Sequence, residues 1–430
     1  MEKNPHVSGK TSRRNFLKAA AAAAICGPHV VRSSVLAASG KPGANDQIVV
    51  GFVGAGGRAQ GTLMKLVLEH PLGARVVAIA DCDLSRVRTA AKQFPQSKDW
   101  RLYQDYRKMF DKEKLDAVFV PTTTHARVLI CMHALQAGLD VYAEKPITLT
   151  IGEGRAIVKA VRRHKRVLQV GTQQRSMRIN TYASELVRNG AIGKVHTALC
   201  RAFLGPERYK PKPEMRIPEG LDWDLWCNQT ELRPYHTELH RGWAIWRAYD
   251  GGGQINGMTG WGTHAIDQIQ CALGKDDTGP VEVWPVTPGP RGKLAMRYAD
   301  GTMLKLELGL EEGPGLGGVF VGEKGKMEIY RNRVTADPPE LAAKAPEPDA
   351  SDTLAHIKNW IECIRTRKKP NADVEIGHRT TTICHLANIC RELGRRLRWD
   401  PEKEIFVGDD EANALVSRPR RKGYELPQPM

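Results

Sequence analysis

Gly54, Gly56 and Ala59 stand in G-x-G-x-x-A spacing, directly after the apolar run 47–53 (QIVVGFV) and before an amphipathic stretch that reaches Glu69. That arrangement can hold a pyrophosphate. The first glycine permits a tight turn, the second lets the backbone approach the ligand, and the alanine lets the helix pack closely on the strand. Gly57 and Arg58 lie in the same turn, where free N–H groups and the positive end of a helix dipole meet phosphate oxygens. The next apolar run, ARVVAIAD, ends in Asp81. A carboxylate there suits the ribose hydroxyls of NAD and disfavours the extra phosphate of NADP, a preference that Arg58 and Arg86 blunt. NAD is the expected cofactor, and NADP the less favoured alternative.

These residues need a scaffold that gathers strand ends. Past Asp81 the pattern alternates: helices over 84–94 and 106–112, the strand LDAVFVP, a helix over 126–137 ending at Gly138, then the strand DVYAE running into Lys145-Pro146. Such alternation builds a doubly wound parallel sheet, an α/β Rossmann domain, with ligands at the C-terminal strand ends. His125 and Glu144-Lys145-Pro146 fall at those ends and are expected to face the cofactor, although His125 can equally cap the following helix. The later chain reads as short strands around 281–284, 293–298, 303–308, 319–321 and 326–330, a C-terminal α+β domain with a sheet. A Pro/Ala-rich linker is expected over 335–350, helices over 353–367 and 378–397 packing back on the body, and an extended basic tail over 399–430 for subunit contacts.

Between the two halves lies an aromatic segment, DWDLWCNQTELRPYHTELHRGWAIWRAYDGGG. Its tryptophans are too irregularly spaced for one helix face. Two readings stand: flat rings that stack on a sugar, or a core beneath a long loop. On the first reading Trp226, Tyr235 and His236 contact substrate, as does Arg175 in VGTQQRS. His236 and His240 sit four apart, but with no helix pattern and no third carboxylate ligand no metal is expected.

The net charge of +16 invites an anionic ligand or surroundings. Lys and Arg do not interleave with stacking aromatics, which argues against nucleic-acid binding. Cysteines scattered through apolar stretches, without a C-x-x-C pair, read as buried thiols. Residues 12–18, SRRNFLK, precede a short apolar run and a small-residue cleavage pattern near Leu36-Ala37-Ala38. This is the pattern of a twin-arginine signal over 1–38. The run over 19–25 is too short for a stable membrane anchor. The expectation is passage through the twin-arginine translocase, already folded, to the periplasm. No NAD pool exists there, so the cofactor must travel tightly bound.

The stretches GFVGAGGRA, VFVPTTTHARVLICMHALQAGLDVYAEKP, LVRNGAIGKVH, DWDLW, GTHAIDQIQCALG and GHRTTTICHLANICRELGRRLRWDPEKE resemble the Gfo/Idh/MocA oxidoreductases over nearly all of the mature chain. The resemblance implies a Rossmann domain, here 45–170, and a substrate domain, 171–398, with an open, largely antiparallel sheet and frequent homo-oligomers. It implies that the E-K-P lysine, Lys145, lies near the nicotinamide ribose and bonds the reacting hydroxyl. It assigns the general base of the family's D-x-G-x-H segment to His264. The family's aspartate falls on Gly260, and Asp267 is the expected substitute. The function expected is hydride transfer between a sugar or polyol hydroxyl and bound nicotinamide. The alternatives are an NAD-dependent glycoside hydrolase that oxidises transiently, and a non-catalytic sensor of NAD or sugar.

Overall fold

The computed structural model describes residues 47–309, 311–351 and 353–428; the twin-arginine segment lies outside the described residues. Six strands form the first sheet: β1 (Ile48–Val53), β2 (Ala74–Ala80), β3 (Arg101–Tyr103), β4 (Ala117–Val120), β5 (Asp140–Ala143) and β6 (Leu168–Val170). Their order is β3-β2-β1-β4-β5-β6, with every pair parallel. Helices cover both faces, which is why β4, and β5 after Asp140, are apolar without alternation and buried throughout. The strand order reverses between β1 and β4, and the crevice at that switch point is where this architecture takes ligands.

Helix α1 starts as a π-helical stretch, Ala59–Met64, and continues as Lys65–Glu69. After it come α2 (Leu84–Gln93), α3 (Tyr106–Lys112), α4 (Thr124–Gln136) and α5 (Ile151–His164). Asp83, Asp105 and Thr150 cap α2, α3 and α5 by accepting backbone N–H bonds, which satisfies donors a helix start leaves free. Phe52 stacks on Phe119 at 4.6 Å between ring centres, and Trp360 meets Phe119 edge-on at 4.7 Å. Trp360 belongs to a helix far along the chain, Leu354–Thr366, whose Ile357, Trp360, Ile361 and Ile364 lie on one face. A helix assigned from sequence to the second domain thus closes the core of the first.

The second sheet contains β7 (Val195–Arg201), β8 (Glu282–Pro285), β9 (Leu294–Arg297), β10 (Met303–Leu308), β11 (Gly318–Gly322), β12 (Gly325–Tyr330), β13 (Arg333–Asp337), β14 (Leu397–Asp400) and β15 (Ile405–Phe406). Its order is β13-β12-β11-β7-β10-β9-β8-β14-β15. Only the β7–β10 pair is parallel. Helices α6 (Arg178–Arg188), α7 (Trp261–Leu273) and α9 (Val374–Leu393) share one core with it, and α8 (Leu354–Thr366) turns back to the first sheet.

Three expectations are corrected here. The region 335–350 is not all linker: β13 runs through Asp337 beside β12, and a short helix follows at Glu340–Ala343. The tail from 399 adds strands to the sheet, then docks on the body. Arg420 pairs with Glu153, Arg421 with Asp224, and the Tyr424 ring is buried in the first domain's core. Arg418, Arg420 and Arg421 thus make contacts within the chain. Cys271, expected in a buried stretch, is half-buried.

Candidate active site

At the switch point β1 ends in a turn that needs glycine. Gly54 has φ +102°, a conformation that penalises any side chain. Its N–H donates to Ala80 O at 2.7 Å, and a Cβ would lie 3.2 Å from the Pro121 carbonyl carbon and oxygen. A Cβ on Gly57, by contrast, would meet nothing, because that residue faces an open groove where the helix begins. Asp81 closes the far side. Its Oδ2 accepts the Ala55 N–H at 2.7 Å and its Oδ1 the Asp83 N–H at 2.9 Å. Burial raises the Asp81 pKa while those N–H bonds oppose it. Gly54, Gly56, Gly57, Arg58 and Asp81 all line one groove of about 210 Å³. Backbone donors at a helix start with a carboxylate at the next strand end suit a dinucleotide.

The groove continues past Arg58, Pro121, Thr122 and Trp243 into a second cavity of about 340 Å³. Glu144 and Lys145 enter it from the end of β5. Arg58 Nε donates to Glu144 Oε1 at 2.7 Å. Burial pushes the Glu144 pKa up, but Arg58 first, then Lys145 and Arg127, hold it below its ordinary value. Lys145 Nζ donates to Gly260 O at 3.0 Å. Burial lowers its pKa, with Glu144 and Asp250 acting against that.

His264, on the first turn of α7, lines the same cavity. It is buried, and its Nδ1 has no hydrogen-bond partner. Burial, then the charge of Lys145, drives its pKa well below 6.5, so the ring is neutral.

Sequence reasoning missed the carboxylate. At Gly260 a Cβ would lie 2.0 Å from Gln254 O, so the backbone of the 250–254 loop occupies the space a side chain needs. That loop carries Asp250 into the cavity. Its carboxylate accepts from Thr124 Oγ1 at 2.5 Å and from Thr259 Oγ1. Burial raises its pKa, opposed by the two threonines, Arg127 and Lys145. The available signal was Asp250 itself, set against three glycines at the end of the aromatic segment. Arg127, Gln173 and Arg331 also line the cavity without having been singled out.

Other expected residues lie elsewhere. Asp267 is committed to the interior: Arg175 Nε lies 2.9 Å from both its oxygens, and Thr380 donates to Oδ1 at 3.0 Å. Arg175 also bridges to Asp276 at 2.7 Å. Neither residue lines the cavity, because each satisfies the other's buried charge. Trp226 stacks on Trp223 at 4.5 Å and borders the dinucleotide groove, while Tyr235 is buried in the same aromatic cluster. The tryptophan segment is therefore mainly a core beneath a loop. His236 caps a short helix, accepting the Glu238 N–H at 3.2 Å. His125 is wholly buried behind the groove, its Nε2 donating to Trp226 O at 2.7 Å.

Comparison with known proteins bears on this geometry. The chain matches an oxidoreductase-family NAD-binding Rossmann domain over residues 48–172 and that family's C-terminal alpha/beta domain over 202–426. The chain belongs to the Gfo/Idh/MocA oxidoreductase family. Within it, an uncharacterized oxidoreductase of Bacillus subtilis is 30% identical over 195 residues, 44% of this chain and 53% of that protein. The D-apiose dehydrogenase of Paraburkholderia graminis is 35% identical over 121 residues, 28% of this chain and 32% of the enzyme. The chain thus spans a third to a half of the length of these curated relatives. The aldose-aldose oxidoreductase of Caulobacter crescentus, solved with glycerol, superposes with a TM-score of 0.59 at 19% identity, covering 82% of this chain and 99% of that one. Lys145 lies within the matched Rossmann domain up to residue 172, and Asp250 and His264 within the matched C-terminal domain.

Proposed function

We propose that this protein is an exported oxidoreductase that moves hydride between a secondary hydroxyl of a sugar or polyol and NAD kept on the protein. The observation that carries the reading is the convergence of Lys145, Asp250 and His264 on one cavity that runs into the dinucleotide groove. Asp81 favours NAD over NADP, since its carboxylate would repel a ribose phosphate. When bound, the nicotinamide supplies the hydride acceptor.

The chain's own groups handle the proton and the orientation. His264 is neutral and so offers a lone pair to the hydroxyl proton. Lys145 bonds the same substrate oxygen with an N–H not used on Gly260. Asp250, pinned by Thr124 and Thr259, accepts a hydroxyl hydrogen and fixes which carbon faces the groove. Trp243 lines both spaces and gives a sugar ring a flat face. The D-apiose dehydrogenase relative supports a sugar or polyol as substrate. Residues 1–38 direct the folded, loaded protein through the twin-arginine translocase to the periplasm, where a second sugar returns the nicotinamide to its starting state. Subunits associate as homo-oligomers through the outer face of the second sheet.

The test begins with the mature protein: heat release identifies the co-purified dinucleotide, and free sugars are screened for reduction of the bound NAD. Reduction lost in Lys145→Met and His264→Ala supports the proposal. Cleavage of nitrophenyl glycosides without an acceptor would instead identify the hydrolase, and bound NAD with neither response a sensor. Export is tested by fusing residues 1–38 to a reporter, whose periplasmic appearance should vanish on replacing Arg13 and Arg14 with lysine.

A further inference from the structure

A separate cavity of about 530 Å³ opens where α9 meets the start of α5 and the loops around 205–210, 247–251, 289–290 and 415–418. It shares no lining residue with the dinucleotide groove or the Lys145 cavity. On the last turns of α9, Arg391 is only 8% exposed. Its Nε donates to Gly292 O at 3.0 Å, while Nη1 and Nη2, both buried, have no partner. Burial lowers its pKa to about 10, which still leaves it charged at neutral pH. A buried charge without a partner is costly, and folded proteins compensate such groups.

The surroundings do not supply the counter-charge. Arg208, Lys210, Arg247 and Arg418 line the cavity with Arg391, against the carboxylates of Glu207 and Glu392. Glu392 is already taken by Arg247 and, at 3.2 Å, by Arg208. His385 adds no charge, since burial holds its pKa at about 3. One turn before Arg391, Asn388 donates through Nδ2 to Gly251 O at 2.9 Å, while its buried Oδ1 has no donor. The cavity is therefore lined by Arg391 and Asn388, whose buried guanidinium donors and amide acceptor lack partners, within an excess of positive charge. Paired N–H donors match the oxygens of a carboxylate or phosphate, and the amide oxygen requires a neighbouring O–H. Apolar Ile151, Ile389 and Leu415 leave room for a carbon skeleton.

We propose that this cavity is a second ligand site, for an oxyanion carried on a hydroxylated carbon chain, held by Arg391 and Asn388. The carboxylate of a sugar acid and the phosphate of a sugar phosphate share that chemistry. Calorimetric titration of the NAD-loaded protein with D-gluconate, D-glucose 6-phosphate and neutral D-glucose tests it. At least one anion should bind with a dissociation constant on the order of 1 mM or tighter, and the tighter one names the head group. Arg391→Gln should weaken it by about tenfold or more. Exposed Lys210 can be reversed without disturbing the core, and Lys210→Glu should weaken binding severalfold even if the Arg391 variant fails to fold. Binding should persist in Lys145→Met, which separates this site from the substrate cavity. Absence of binding by both anions overturns the proposal. So does binding unchanged in both charge variants, or binding lost in Lys145→Met.

Discussion

Asp250 and Gly260 act as a pair. The absence of a side chain at Gly260 leaves room for the 250–254 loop, and the loop adds the Asp250 carboxylate to a cavity that Glu144, engaged by Arg58, also lines. Asp250→Asn should therefore lower kcat by about 100-fold while the protein folds normally, since amide and carboxylate are nearly isosteric but only the carboxylate accepts at both oxygens. Gly260→Asp should not rescue it. A Cβ 2.0 Å from Gln254 O forces the loop away, so this variant should lose thermal stability and lower activity further; recovered turnover would contradict the pairing. Lys145 yields a pH prediction. Burial lowers its pKa from 10.5, and the ammonium is the stronger donor to the substrate oxygen, so kcat/KM for alcohol oxidation should fall as pH rises through that lowered value, below 10.5. Lys145→Arg, whose side chain stays charged, should remove that fall.

Helices reach between the two sheets, and this is where elements govern the site. Trp360 on α8 fills the core against Phe119, on the strand that ends at the groove. Trp360→Ala should cost about 3–5 kcal/mol of stability, with reduced NAD retention, measurable by denaturant unfolding and by the bound dinucleotide recovered. The Arg175–Asp267 pair ties the start of the second domain to α7, the helix that bears His264. Asp267→Ala leaves a buried guanidinium underpaired and should cost about 3–5 kcal/mol. Its effect on kcat should be smaller than that of Asp250→Asn, which distinguishes a residue that supports α7 from one that meets substrate.

Across the molecule, several histidines are buried and neutral. Burial lowers His125 and His356 to about 4 and His264 well below 6.5. In the unfolded chain these rings take up protons near pH 6.5, while the folded chain refuses them until lower pH. Stability is therefore full above pH 6.5 and falls as pH drops towards 4, by up to about 1.4 kcal/mol per pH step for each such ring. Melting temperatures measured from pH 7 to pH 4 should decline steadily, and His356→Gln should soften the slope.

Much of this could be read along the chain. The glycine turn, Asp81, Lys145 and the parallel strands are legible because each rests on local spacing: a turn needs φ above zero, a doubly covered strand is apolar throughout, and strand ends follow. Five strands of the second sheet, β8 to β12, were likewise visible along the chain; β7, β14 and β15 were not, nor was β13, whose short charged sequence on the sheet edge lacks an apolar run. Local periodicity says which face of an element is buried, but not what lies opposite it. Only the tertiary structure could bring Asp250 to the cavity, pair Asp267 with Arg175, seat α8 against the first sheet and fold the basic tail onto the body. Those outcomes depend on contacts between residues far apart in sequence, where charge and shape are matched in space and leave no repeat along the chain.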